Sequence, residues 1–150
     1  MKDLLNAHKV IALDSCVWIY HLETHPEYAT LTRQLLEAVE AGSCKAVSSE
    51  LTLLEILVRP LQMELQDVVD EYELLLSSFP NLSLEPISRD ILLQAATIRA
   101  HHGLRTPDAI ISATAMAAEA TLLVTNDRHL SRVPGVQVAC LSDYCHKREE

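Results

Sequence analysis

Four acidic residues interrupt or close apolar stretches of this chain: Asp14 ends KVIALD, Glu55 breaks LTLLEILV, Asp108 follows Thr106 and Pro107 in LRTPDAIISATA, and Asp127 ends LLVTND. Each has an ordinary explanation when taken alone. Asp14 can cap a helix opening at Ser15, and Glu55 can pair with Arg59 one helical turn on. Asp108 in a first helical turn meets the helix dipole favourably, and Asp127 suits a turn. Those explanations leave out the conjunction. Carboxylates gathered in one place repel one another unless cations lie between them. An oxygen-only donor set suits Mg2+ or Mn2+ and disfavours zinc, which prefers His and Cys. Such ions orient and acidify a water and stabilise charge building on a phosphate, so the chemistry suggested is phosphodiester hydrolysis without a protein nucleophile.

The elements that must bring the acids together alternate between strand and helix. Residues 9–14 read as a buried strand, an apolar run bounded abruptly by polar residues, with a helix opening at Ser15. Helical periodicity over 26–41 stops at Gly42. Residues 44–48 give a second strand, and Ser49 caps a helix through Val58 that Pro60 ends. A further amphipathic helix over 61–79 completes a helical hairpin. Residues 81–87 suggest a third strand, Ser88 caps a helix to about His101, and Thr106 caps one through Ala118 with Pro107 at its start. Strands over 121–125 and 136–141 bring the total to about five strands among seven helices. This order predicts an α/β fold: a parallel sheet with helices on both faces and right-handed crossovers. Such sheets bind ligands outside the carboxyl ends of their strands, where Asp14 and Asp127 fall.

At 150 residues, with 49% hydrophobic and only three glycines, the chain reads as one packed domain over 1–150. A chain of that length buries about two-thirds of its unfolded surface. Its net charge is −9, unevenly spread: residues 50–98 hold nine acids and two bases, whereas 99–150 hold six of each. That balance argues against tight sequence-independent binding of nucleic acid, but not against a nuclease whose cleft is neutralised by metal. The N-terminus lacks the apolar core and cleavage site of a signal peptide, and Glu119 breaks the longest apolar stretch. A cytoplasmic protein with no membrane partner is expected. The four cysteines, Cys16, Cys44, Cys140 and Cys145, form no CxxC pair and are expected to be reduced thiols. Cys140, Cys145 and His146 form an incomplete soft-metal set.

The segments VIALDSCVWIYHLE, SSELTLLEILVRP, LRTPDAIISATA and LLVTNDRHLSRVPGV resemble, in order and spacing, the four signature regions of the PIN-domain ribonucleases, and the likeness runs from about residue 9 to residue 141. The resemblance implies a three-layer α/β/α sandwich around a five-stranded parallel sheet, cleavage of RNA dependent on Mg2+ or Mn2+, and a tendency to homodimerise. By that likeness Asp14, Glu55, Asp108 and Asp127 bind metal and carry catalysis, with Ser15 and Asn126 as supporting donors. The compact size resembles the VapC-type toxins of toxin–antitoxin pairs, which implies an antitoxin partner. A PIN-like module that binds RNA or protein without strong catalysis is the alternative, as is an RNA-processing nuclease with no antitoxin.

Two features depart from the family pattern. Cys16 stands two places after the first acid, where a small polar residue is common. Glu50 lies near Glu55, but an acid in a first helical turn has a local explanation. Arg105, Arg128 and Arg132 flank the acids and suit RNA phosphates, while Trp18 and Tyr20 are expected to pack in the core. His101 and His102 end a helix, where a cation is favourable. A phosphoacceptor receiver domain would need an acidic pair beside the first strand and a lysine after a later one. Ala12 and Leu13 precede Asp14 instead, and no lysine lies between Thr121 and Cys140. A DxD phosphatase fails because Cys16 holds the place of its second acid.

Overall fold

The computed structural model describes residues 1–145. In chain order its elements are α1 (Lys2–Asn6), β1 (Val10–Leu13), α2 (Ser15–Leu22), α3 (Ala29–Glu40), β2 (Lys45–Ser49), α4 (Leu51–Gln62), α5 (Gln66–Ser78), β3 (Leu82–Glu85), α6 (Arg89–His102), α7 (Thr106–Ala117), β4 (Leu122–Thr125) and β5 (Gln137–Cys140). The five strands form one parallel sheet in the order β3-β2-β1-β4-β5. The central strand β1 has Ile11 in register with Ala46 on one side and Leu122 on the other.

Side chains alternate across the strands, and each face meets its own helices. Ile11, Leu13, Leu122 and Val124 join Trp18, Leu35 and Leu76 in one core under α2, α3 and α5. Ala12, Val47 and Leu123 join Ile98, Ala109, Ile111 and Leu130 in the other, under α6 and α7. With both faces covered, β1 and β4 lie almost wholly buried, which explains their apolar sequence, broken only by Thr125 at the end of β4. The helix α7 is buried from Asp108 through Ala115, and alanines at 109, 113 and 115 let its backbone approach the sheet closely. Trp18 is fully buried, its indole Nε1–H donating to Ser48 Oγ at 3.0 Å while Phe79 meets the ring edge to face.

Several expectations are corrected. Pro60 does not end its helix. It lies inside α4, buried, where the fixed φ is helical and the loss is one backbone hydrogen bond. The helix runs on to Gln62, and Glu64, at φ 57°, breaks it before α5 begins at Gln66 and not at 61. Thr106 is the first helical residue of α7; the cap is Arg105, which supplies no side-chain capping bond. Residues 26–28 form a turn before α3; four strands are shorter at their ends than expected, and β2 is shifted one residue on, so that Ser49 ends the strand and Glu50 is the cap of α4. Nor does Arg59 pair with Glu55: its Nη1 reaches Glu23 at 2.8 Å. Among the described residues no helix is long and apolar enough to cross a membrane.

Candidate active site

The chain leaves β1 toward β2 on one side, and β4 lies on the other, so the carboxyl ends of β1 and β4 flank the point where strand order reverses. Neighbouring connections diverge there and leave a crevice. Asp14 directly follows β1, and Asp127 lies two residues beyond β4. Glu55 projects from the second turn of α4 and Asp108 from the first turn of α7. All four side chains line one cleft of roughly 240 Å³, together with Cys16, Tyr20, Arg105 and Asn126. Glu50 is exposed at the mouth of α4 and outside this cleft.

Asp14 is buried and held from three directions. Its Oδ1 accepts the Ser15 N–H at 2.7 Å, and its Oδ2 accepts the Thr125 hydroxyl at 2.6 Å and, more weakly, the Cys16 thiol at 3.8 Å. Burial nevertheless pushes its carboxyl above the ordinary range, against the downward pull of the Thr125 and Ser15 bonds, and Asp108 pushes the same way. Glu55 is half-buried, yet its Oε1 is shut from solvent and has no hydrogen-bond partner. Burial first, then Asp14, raises its carboxyl, while Ser15 and Arg105 partly offset the shift. An orphaned carboxylate oxygen facing other carboxylates is the arrangement a cation would complete.

Arg105 supplies the positive charge at this mouth. Its Nε donates to Asp108 Oδ2 at 2.8 Å, and its Nη2 lies 3.6 Å from Asp127 Oδ2. Asp127 Oδ1 accepts the backbone N–H of His129 at 2.9 Å and faces the His129 Nδ1 at the same distance. Among the described residues no three His, Cys, Asp or Glu side chains already close around a metal position. The Arg105 guanidinium instead contacts two of the acids, Asp108 and Asp127. The donor set itself, four carboxylates with no imidazole among them, fits a hard divalent cation.

The two supporting donors divide. Ser15 serves Asp14 through its backbone, and its hydroxyl is engaged with Thr52 Oγ1 at 3.0 Å. Asn126 lines the cleft but reaches no acid: its Nδ2 donates to the Tyr20 hydroxyl at 3.3 Å and its Oδ1 accepts the Ser142 N–H at 3.1 Å. The residue passed over in the sequence is Thr125. It donates to Asp14 and accepts the Asp127 N–H at 3.0 Å, tying the two strand-tip acids together. Its place at the end of an apolar strand, next to Asn126 and Asp127, was the available signal. Tyr20 packs half-buried against the core as expected and also walls the cleft, stacked on Tyr28 at 4.8 Å. Cys16 does supply a hydrogen bond to Asp14, though a long one. Cys140 is buried at the end of β5, and Cys145 Sγ donates to the Glu27 carbonyl at 3.6 Å; His146, the third member of the soft-metal set, lies outside the described residues.

Known proteins agree with this architecture. No curated protein sequence matches the chain. Solved structures share its fold, among them the following three. VapBC2 from Rickettsia felis, bound to a DNA fragment from its promoter, has a TM-score of 0.69 at 18% identity, covering 87% of this chain and 98% of that one. A toxin–antitoxin complex from Klebsiella pneumoniae has a TM-score of 0.66 at 24% identity, covering 87% and 97%. FitAB bound to an IR36 DNA fragment has a TM-score of 0.67 at 18% identity, covering 93% and 99%. The sequence model of the PIN domain matches residues 11–136, which include the strand tips, both acid-bearing helices and all four cleft carboxylates. The chain belongs to the PIN domain family.

Proposed function

We propose that this chain is an endoribonuclease dependent on Mg2+ or Mn2+ that hydrolyses RNA phosphodiester bonds, and that it acts as a VapC-type toxin held by an antitoxin. The observation that carries the reading is the convergence of Asp14, Glu55, Asp108 and Asp127 on one cleft at the strand tips, with a buried Glu55 oxygen left unpartnered. These four residues would hold the cation, which when bound acidifies a water and neutralises charge on the phosphate. The protein's own part is positioning. Thr125 and the Ser15 N–H fix Asp14 against rotation, and Arg105 fixes Asp108. Glu55 Oε1 is the acceptor left open, able to take a metal bond or the proton of an attacking water. Arg105, exposed and beside two acids, is placed to meet phosphate oxygens entering the cleft.

The antitoxin partner is supported by the similarity to solved toxin–antitoxin complexes and by an uncovered apolar stripe, Leu54, Val58 and Leu61, on the helix that carries Glu55. A homodimer follows from the family likeness. Cleavage of single-stranded RNA is expected with Mg2+ or Mn2+ and is expected to stop in EDTA. Saturating metal, at about 100 times its dissociation constant, should also stabilise the fold by roughly 2.7 kcal/mol in a thermal melt. Full cleavage in excess chelator by protein free of contaminating nuclease would refute the reading.

A further inference from the structure

A second groove, of roughly 520 Å³, opens beside the acid cleft and shares Arg105, Asp108 and Asp127 with it as a common wall. That volume lies within the range of about 300–1,000 Å³ typical of ligand sites. The rest of its lining is His129 and Arg132 from the short 3-10 turn Arg128–Arg132, with Gly103 and Leu104. The groove therefore begins where the acids end and carries two arginines in a protein whose net charge is −9.

The three arginines near the site are not equivalent. Arg128 points away from the groove, bound to the carboxylate of Asp143 and to Ser142 Oγ. Arg105 faces both compartments, engaged with Asp108 and close to Asp127. Arg132 is exposed, lines the groove, and has no carboxylate partner among the described residues. A guanidinium unpaired among the described residues and lining a groove that adjoins a carboxylate cleft matches a phosphodiester continuing beyond the one that is cut. The acids alone would repel that second phosphate, and the Arg132 guanidinium offsets the repulsion locally.

We propose that this groove is a phosphate subsite for single-stranded RNA, in which Arg132, with Arg105 at the shared wall, binds the phosphodiester next to the scissile one. The inference rests on the ribonuclease reading and assigns the path of the strand: out of the acid cleft, across Arg105 and along the 3-10 turn. The contact is to the backbone, so it strengthens binding without selecting bases.

The test uses a short, unstructured, fluorescently labelled oligoribonucleotide, and the full chain carrying Asp14→Asn to suppress cleavage during binding measurements. Adding Arg132→Gln should weaken binding to the same degree for oligonucleotides of different sequence, and lower the slope of log affinity against log salt by about 0.7, the share of one single-strand phosphate contact. Arg132→Lys should restore most of that slope. Arg128→Gln should leave it as it is. On the otherwise unaltered chain, Arg132→Gln should raise KM several-fold while kcat holds, with melting curves establishing that the fold is intact. Cleavage by the wild-type chain together with an unaltered slope and KM in Arg132→Gln overturns the subsite and leaves the ribonuclease reading standing. A loss confined to particular base sequences overturns it in favour of a base contact. Absence of both RNA binding and cleavage in the wild-type chain removes the reading and the subsite together.

Discussion

The sheet side and the helix side of the acid cleft treat their carboxylates differently. On the sheet side Asp14 is enclosed by donors on both oxygens, from Ser15, Thr125 and Cys16, because the tips of β1 and β4 and the start of α2 meet there. On the helix side Glu55 extends from α4 with a buried Oε1 that receives nothing. An unsatisfied buried oxygen costs about 1–3 kcal/mol, so the metal-free fold carries a penalty at Glu55 that it avoids at Asp14. The rigid scaffold fixes one acid in place, and the helix offers the other with its coordination incomplete. Strain of that kind is the usual companion of a site built to be finished by something else.

Cleavage should not distinguish the two sides, and stability should. Asp14→Asn and Glu55→Gln are each expected to lower kcat/KM by at least about a hundredfold, since either removes a carboxylate that the cation requires. In EDTA, however, Glu55→Gln should be more stable than Asp14→Asn by about 1 kcal/mol. The first variant replaces a carboxylate that has one buried oxygen unpartnered, and the second breaks a satisfied set of hydrogen bonds. Urea denaturation of both proteins measures the order, and a reversed order would erase the contrast between the two walls. Thr125→Val sharpens the sheet side, because it keeps the side-chain shape while removing the hydroxyl that links Asp14 to the Asp127 backbone. A loss of about ten- to a hundredfold in activity, smaller than that of the acid variants, is expected in steady-state assays.

Proton linkage gives a smaller effect with a definite sign. The Glu55 carboxyl is raised above its ordinary 4.5 by burial and by Asp14, so its charged form opposes folding. The stability this group contributes is present in full below its unfolded pKa and is lost as pH rises through the folded one. The advantage of Glu55→Gln over wild type in EDTA should therefore be present near neutral pH, shrink on acidification, and vanish below about pH 4.5. Denaturant titrations of both proteins between about pH 4 and 7 follow that gap. A gap that widened toward acid would mean that Glu55 is stabilised as a carboxylate after all.

The sequence made the sheet legible because burial on both faces leaves β1 wholly apolar and β4 apolar up to Thr125, so an acid just past either end stands out. The same logic exposed Asp108, since α7 is buried along most of its length and its first-turn acid stands before a largely apolar run. Helix ends were read less well. A proline usually breaks a helix by clashing with the preceding turn, but Pro60 faces the buried side of α4, where packing compensates. Thr125 escaped notice because a threonine at a strand end is ordinary, and only the fold brings its hydroxyl to a residue 111 positions away. Which arginine faces the groove depends on the 3-10 turn that aims Arg128 at Asp143 and Arg132 elsewhere, and spacing alone does not encode that rotation. The i,i+4 partner proposed for Glu55 was likewise displaced, because Arg59 found Glu23 on the neighbouring α2 end.

The smallest expected effect comes from Cys16, the residue that departs from the family pattern. Its thiol touches the same Asp14 oxygen that Thr125 already serves, but at 3.8 Å against 2.6 Å, so it adds little to a bond already made. Burial and the neighbouring Asp14 carboxylate push the thiol far above its usual pKa, which keeps it protonated and a poor nucleophile at neutral pH. Cys16→Ser replaces a weak donor by a stronger one with a shorter reach, and Thr125 retains Asp14 in either case. Activity is therefore expected to change by less than about threefold, and stability by no more than about 1 kcal/mol. Iodoacetamide at pH 8 should label Cys16 much more slowly than a free thiol, which mass spectrometry of the folded protein measures directly. Rapid alkylation would show a thiolate with no proton to give Asp14, whereas a loss in Cys16→Ser as deep as that of Thr125→Val would show that the sulfur holds Asp14 as firmly as the threonine does, and would move the support of the sheet-side acid from β4 to α2.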